Sequence, residues 1–272
     1  MNLPADLNFL VPFETKMVRM GPREDGGYVL PESVSADTRY LYSLGISTDW
    51  RFESAIASSN PGLEIRAYDH NAGSLIFFYI AIRNLFSGYV MGSDDSFRAR
   101  IRMSWRYLVL GLRFRMFFKF GRRFYRKWVR SVSKSSDDVA FVDSMKLIPD
   151  YGNLLIKIDI DGGEYELVND LVEEIKRRKN QITCIVMELH DTELQRAEFS
   201  ALVRSIQEHL PIVHIHGNNC AITASDGLPT VVEITFARKD SVSAQPVLDF
   251  PRSGLDYPND SSLPDCEFSF SL

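Results

Sequence analysis

Cysteine is scarce and badly placed for a framework. Cys184, Cys220 and Cys266 are far apart and odd in number, which excludes a disulfide scaffold and a zinc-ligand pattern and makes a reducing cytoplasm the expectation. Long apolar runs are missing as well. The longest, LIFFYIAI at 75–82, is far short of the roughly 20 residues that span a bilayer. The opening MNLPADLNFLVPF has no basic stretch leading into an apolar core, so neither signal-directed secretion nor membrane integration is expected. Repeats and low-complexity tracts are absent, and beyond about Ser241 the chain is rich in Pro, Ser and Asp and reads as irregular.

Acid is missing from one long stretch. Residues 98–130, RARIRMSWRYLVLGLRFRMFFKFGRRFYRKWVR, contain no Asp or Glu and hold twelve of the 31 Lys and Arg residues, which leaves the rest of a chain of net charge -5 markedly acidic. On a helical wheel Arg115, Lys119, Arg122, Arg126 and Arg130 share one side, and Phe114, Phe117, Phe118, Phe124, Tyr125 and Trp128 the other. The segment reads as a basic aromatic helical insertion over 74–136. Three uses stay open: a covering helix, an interfacial helix on anionic lipid giving peripheral membrane contact at 98–130, or a docking surface for a phosphorylated or lipid-linked acceptor. Nucleic acid is not expected, because the acidic remainder repels phosphate.

What remains is ample for a core. With 272 residues, 45% of them hydrophobic, the length favours a single domain, 1–272, carrying that insertion. Strands are expected at 40–46, 63–69, 153–161, 182–190, 212–217 and 231–237, and helices at 163–180 and 191–210, the latter capped by Asp191 or Thr192. The alternation implies an α/β fold with a mostly parallel sheet. Only NNCAITASDGLPT separates the last two strands, so they are expected to form an antiparallel edge hairpin.

Three strands end in polar pairs. In KIDID, Lys157, Asp159 and Asp161 alternate with Ile156, Ile158 and Ile160; MELH sets Glu188 and His190 on one face, and HIH does the same for His214 and His216. A single strand-end His or Asp more often caps a helix or bonds a loop. Six together point to a crevice beyond the carboxyl ends of the strands, since buried ionisable groups are costly unless paired or used. Upstream, YSLGISTDW runs a strand into a turn at Gly45 and then a helix, and Asp69 follows at the interval where nucleotide-binding folds place an acid on ribose hydroxyls. Asp69 as a simple cap of the next segment is the plainer alternative.

These pieces, MGPREDGGYVLP, SLGISTDWRFE, YDH, LLIKIDIDGGEYE, VMELH, VHIHGNN and LDYPND, together resemble the FkbM-type S-adenosylmethionine-dependent methyltransferases, above all members associated with sugar and polysaccharide O-methylation. The resemblance spans both ends of the chain and skips the basic segment. It implies a Rossmann-like class I methyltransferase fold and S-adenosylmethionine as cofactor, met by Gly45, Ile46, Ser47, Asp69, His70 and Asp159. It also implies an acceptor glycan near Asp25, Gly26, Gly27, Tyr28, His214 and Asn218, and catalysis by Asp161, His190, Glu188 and His216. Ser47 stands where these enzymes usually have a second glycine, and D-G-G at 161–163 replaces the commoner E-G-A.

A sugar hydroxyl becomes a good nucleophile only when a base or a metal takes up its charge. Asp161, Glu188 and His190 therefore leave a divalent metal open, and mixed O/N ligands suit Mn, Fe or Zn better than Mg. Two further readings compete. Asp159-Ile160-Asp161 is also the D-x-D of metal-dependent glycosyltransferases, and the basic segment suits a non-catalytic membrane or partner adaptor.

Overall fold

In a computed structural model the described residues are 2–86 and 97–271; residues 87–96 of the expected insertion lie outside them. The hairpin β1 (Met17–Met20) and β2 (Tyr28–Pro31) leads through α1 (Glu32–Asp37) to β3 (Tyr40–Leu44), α2 (Arg51–Ser59) and β4 (Glu64–Tyr68). Paired helices α3 (Ser74–Phe86) and α4 (Phe97–Phe117) follow, then β5 (Arg122–Tyr125), β6 (Trp128–Arg130), β7 (Asp138–Ala140) and α5 (Phe141–Met145). The second half runs β8 (Leu154–Ile158), α6 (Val168–Arg177), β9 (Ile182–Leu189), α7 (Arg196–Gln207), β10 (Ile212–Gly217) and β11 (Val232–Ala237). Short strands β12 (Asp249–Phe250) and β13 (Phe268–Ser269) pair near the end.

Seven strands form the central sheet in the order β10-β11-β9-β8-β3-β4-β5, and β11 alone runs against its neighbours. This is the Rossmann-like class I methyltransferase fold. Strand parity sorts the side chains as the sequence implied: Ile156 and Ile158 enter a core with Phe141, Leu171 and Phe199 under α5, α6 and α7. Leu41, Ile65, Leu155 and Val186 enter a second core with Tyr28, Phe52 and Phe114 from β2, α2 and α4. Lys157 and Glu188 share the second face, and it carries the polar site.

Two expectations are corrected and a third is met. The basic segment is not one helix: α4 ends at Phe117, and Phe120 (φ 48) and Gly121 (φ 90) turn the chain so that RRFY becomes β5, the seventh strand of the sheet. Its aromatic side therefore splits, Phe124 packing on Phe114 while Tyr125 stacks on Tyr68. The last two strands do form the expected antiparallel edge hairpin, with β11 paired to β9 and β10 at the edge itself. Neither Asp191 nor Thr192 caps α7, which starts at Arg196; the Thr192 hydroxyl donates instead to Pro229 O at 2.9 Å. Among the described residues no helix is long and apolar enough to cross a membrane.

Candidate active site

β3 ends at Leu44, and Gly45 turns the chain with φ 78. A Cβ there would stand 1.6 Å from Asp159 O, so only glycine lets the turn lie against the end of β8. Asp69 then holds the turn in place. One of its carboxylate oxygens accepts the N–H groups of Ile46 (3.0 Å) and Ser47 (2.7 Å), and the other accepts those of Asn71 (2.6 Å) and Ala72 (3.0 Å). Of the two uses weighed from sequence, the local cap is the one these bonds make, and the same side chain ties the β3 turn to the β4 turn. Ser47 has φ 48, so the departure from glycine changes the side chain and keeps the left-handed backbone.

Behind the turn lies a buried ion pair. Lys157 Nζ is 3.2 Å from Asp159 Oδ2 and donates to Gly45 O at 2.6 Å, while Tyr28 donates its hydroxyl to the same Asp159 oxygen at 3.0 Å. Burial works to raise the Asp159 carboxyl, but the Lys157 charge, the hydrogen bonds from Lys157 and Tyr28 and the His190 charge together outweigh it and leave the group below its ordinary value. Glu53, fully buried and bonded to the Ser43 hydroxyl at 2.6 Å, is pushed up by burial. Sequence reasoning placed Lys157 on this face without giving it a task, and it missed Glu53. A lysine inside an otherwise apolar strand was the available signal.

The cluster at the ends of β8 and β9 is Asp159, Glu188 and His190, whose ligand atoms all lie within 4.8 Å of one another. Asp159 takes the place expected for Asp161. β8 stops at Ile158, and Asp161 sits in a turn at φ 52 with its side chain 99% exposed, 3.7 Å from His190 Nε2 at the rim. His190 is oriented by a residue the sequence reading overlooked. Glu164, wholly buried, accepts the N–H groups of Ile160 (3.2 Å) and Gly162 (3.3 Å) and bonds His190 Nδ1 at 2.9 Å. The D-x-x-E spacing from Asp161 resembles a capping box and was its signal. Burial lowers the His190 pKa, yet the Glu164 bond and the charges of Glu164, Glu188 and Asp159 override it and push the group up to about 9. Glu188 is held well above the ordinary carboxylate range by burial and by Asp159 and Glu233; Asn218 donates to it at 2.8 Å.

His214 and His216 are not in this cluster. β11 stands between β10 and β9, pairing Glu233 with both His216 and Glu188, so His216 lies two strands from Glu188. Both histidines instead anchor the C-terminal segment. His214 Nε2 is 2.9 Å from Asp256 Oδ1, and His216 Nε2 is 3.0 Å from Asp265 Oδ1, while Asn259 reaches Glu233 and Asp25, each at 3.1 Å. Burial lowers the His216 pKa, but Asp265 and Glu233 override it and push it from 6.5 up to about 10. Its folded pKa is thus above its unfolded one, so its stabilisation is complete below about pH 6.5 and is lost as pH rises through about 10. Urea unfolding of the parent should show that decline between those limits, and His216→Gln should lack it; equal pH profiles would remove the ion-pair assignment.

Two cavities open at the carboxyl ends of the strands. The first, about 420 Å³, is lined by Tyr68, Asp69, the stacked rings of His70 and Trp128 (interplanar angle 15°), Ile160 and Glu166. The second, about 360 Å³, takes in Asp25, Gly26, Ile46, Glu53, Lys157, Glu188, His190 and Asn218. They share Gly45, Ser47, Asp69, Asp159 and Asp161. Tyr28 supports the second from behind through Asp159. Gly27 belongs to the turn itself, where a Cβ would meet Pro22 O at 2.1 Å.

No protein-family model matches the chain, and no curated protein matches it by sequence. Solved structures match at low likeness. The fibrillarin pre-rRNA processing protein of Methanococcus jannaschii is 11% identical, with TM-score 0.42 over 83% of each chain. Aeropyrum pernix fibrillarin in complex with natively bound S-adenosyl-L-methionine is 12% identical, with TM-score 0.38 over 76% of this chain and 70% of that one. A putative methyltransferase of Thermoplasma acidophilum is 14% identical, with TM-score 0.32 over 82% and 72%. The strand order, not these likenesses, defines the fold.

Proposed function

We propose that the chain is an S-adenosylmethionine-dependent O-methyltransferase acting on a sugar hydroxyl of a glycan or glycoconjugate. The observation that carries this reading is the meeting of two unlike cavities over the Gly45 turn. The first offers aromatic rings and a strand-end acid, as an adenosine group requires. Among the described residues lining the second, Asp25, Asp49, Asp69, Asp159 and Asp161 outnumber the basic Lys157 and His190, and that excess of acid favours a sulfonium cation and a hydroxyl-rich acceptor. The sequence resemblance supplies the sugar.

S-adenosylmethionine supplies a methyl group on a sulfonium sulfur, so holding the acceptor oxygen in line with it provides much of the acceleration. The chain must also take the hydroxyl proton. His190 already carries its own proton near neutral pH, so Glu188, made more basic by burial, is the acceptor, with His190 and Asn218 fixing its surroundings. Two carboxylates and an imidazole also fit a divalent cation, which Asp159, Glu188 and His190 would hold and which would make the hydroxyl more acidic.

Calorimetric titration tests the reading. Saturable binding of S-adenosylhomocysteine, with none of nucleotide sugars plus manganese, is the expected result; binding of the nucleotide sugar alone would overturn it. Asp161, turned outward with its side chain 99% exposed, does not join Asp159 in the carboxylate cluster, so the glycosyltransferase D-x-D reading gains no support.

A further inference from the structure

The proposed reaction makes no use of the helical hairpin α3–α4, yet that hairpin carries a long apolar surface that none of the described residues covers. α3 turns Phe77 and Ala81 inward and leaves Leu75, Tyr79, Ile82 and Phe86 outside, one stripe at spacings of four, three and four. α4 does the same: Ser104, Gly111 and Phe114 are buried, while Phe97, Ile101, Trp105, Leu108, Leu112 and Met116 are exposed along one stripe. Trp105 is 65% exposed, Met116 70% and Phe86 83%. The pairing of the helices is tight, with the Ser104 hydroxyl on Ala81 O at 2.7 Å and Phe78 against Gly111, where a Cβ would come within 2.5 Å of the ring. These side chains are therefore held outward by a packed hairpin.

The charges beside the stripe name the partner. Arg98, Arg102, Arg106 and Arg113, all exposed, each follow a stripe residue by one position and line its flank, and the chain from Phe97 to Ser136 contains no Asp or Glu. Apolar groups bordered by arginines, on a 21-residue helix that does not cross a bilayer, fit the boundary between lipid headgroups and acyl chains. A second copy fits poorly, because a symmetric pairing of this face brings the same arginines together. We infer that α3–α4 seats the protein on an anionic membrane surface, with Trp105, Leu108 and Leu112 at the acyl boundary and the arginines among the phosphates.

Flotation of the full chain with vesicles at low ionic strength tests this. The parent should float with phosphatidylcholine vesicles containing phosphatidylserine and much less with phosphatidylcholine alone, and salt should release it. Two variants, Trp105→Glu/Leu112→Glu and Arg102→Glu/Arg106→Glu/Arg113→Glu, should each partition about tenfold less or worse, with unchanged melting because every substituted side chain is exposed. Should the first variant melt non-cooperatively, the arginine variant alone carries the test. A parent that stays unbound to phosphatidylserine vesicles, or variants that bind as it does, would overturn the inference. So would a lipid-free dimer abolished by Trp105→Glu in a protein that does not float.

Discussion

Glu188→Gln is expected to slow methyl transfer by about two to four orders of magnitude and, at the same time, to make the protein more stable at neutral pH. The two effects have one cause. Burial beside Asp159 and Glu233 raises the Glu188 pKa above its unfolded value, so its contribution is full below the ordinary carboxylate value and is lost as pH rises through the folded one. Above that point an ionised Glu188 opposes folding. Glutamine keeps the shape and the Asn218 contact while removing the charge, which relieves the opposition and deletes the proton acceptor. Single-turnover methyl transfer and urea unfolding of the same preparation check both halves, and a variant as active as the parent removes Glu188 from the reaction. A chelator arm decides the cation: if Asp159, Glu188 and His190 hold one, chelation slows the parent, and Glu188→Gln loses affinity for manganese measured by itself.

Asp69→Ala is expected to weaken cofactor binding by up to about a hundredfold, through the loss of the turn it holds. Its carboxylate accepts four backbone N–H groups, from Ile46, Ser47, Asn71 and Ala72, and alanine leaves all four in search of water. Charge-assisted bonds contribute about 1.5–3 kcal/mol each and these are not additive, so a loss of about 3 kcal/mol, some of it as stability, is the expected order. Asp69→Asn should fall between the two, since an amide oxygen can replace one acceptor but not both. Titration with S-adenosylhomocysteine beside urea unfolding separates the roles. Parent-like affinity in a folded Asp69→Ala protein would mean that the turn holds its shape without this side chain.

The central strands were legible because they are buried on both faces and bounded by turns. LLIKIDID and ITCIVMELH could not lie on the surface, and their parity alone grouped Lys157 with Asp159 and Glu188 with His190. The seventh strand was hidden. RRFY follows a basic amphipathic helix without a change in composition, and only the Phe120-Gly121 turn separates them. For the site, strand ends identified the acids, but a strand that stops three residues early, at Ile158, sends Asp161 outward, and two histidines in perfect alternation were claimed by Asp256 and Asp265 from the far end of the sequence. Such partners are invisible to local spacing. Glu164 and Glu53 act through contacts that only the folded chain brings together.

The position of β11 bears on how the molecule is made. When synthesis has reached Gly217, every parallel strand exists, yet β10 has no neighbour to pair with, because its partner is still to come at 232–237. Until then β9, eight residues long and buried along its whole length in the finished protein, presents an open edge to whatever is near. The late strand closes both ladders in one insertion, and Glu233 on it meets His216 and Asn259. The nascent chain is thus most exposed to misassembly in the interval between its fifth and last parallel strands becoming paired, and a holding chaperone would find its target there.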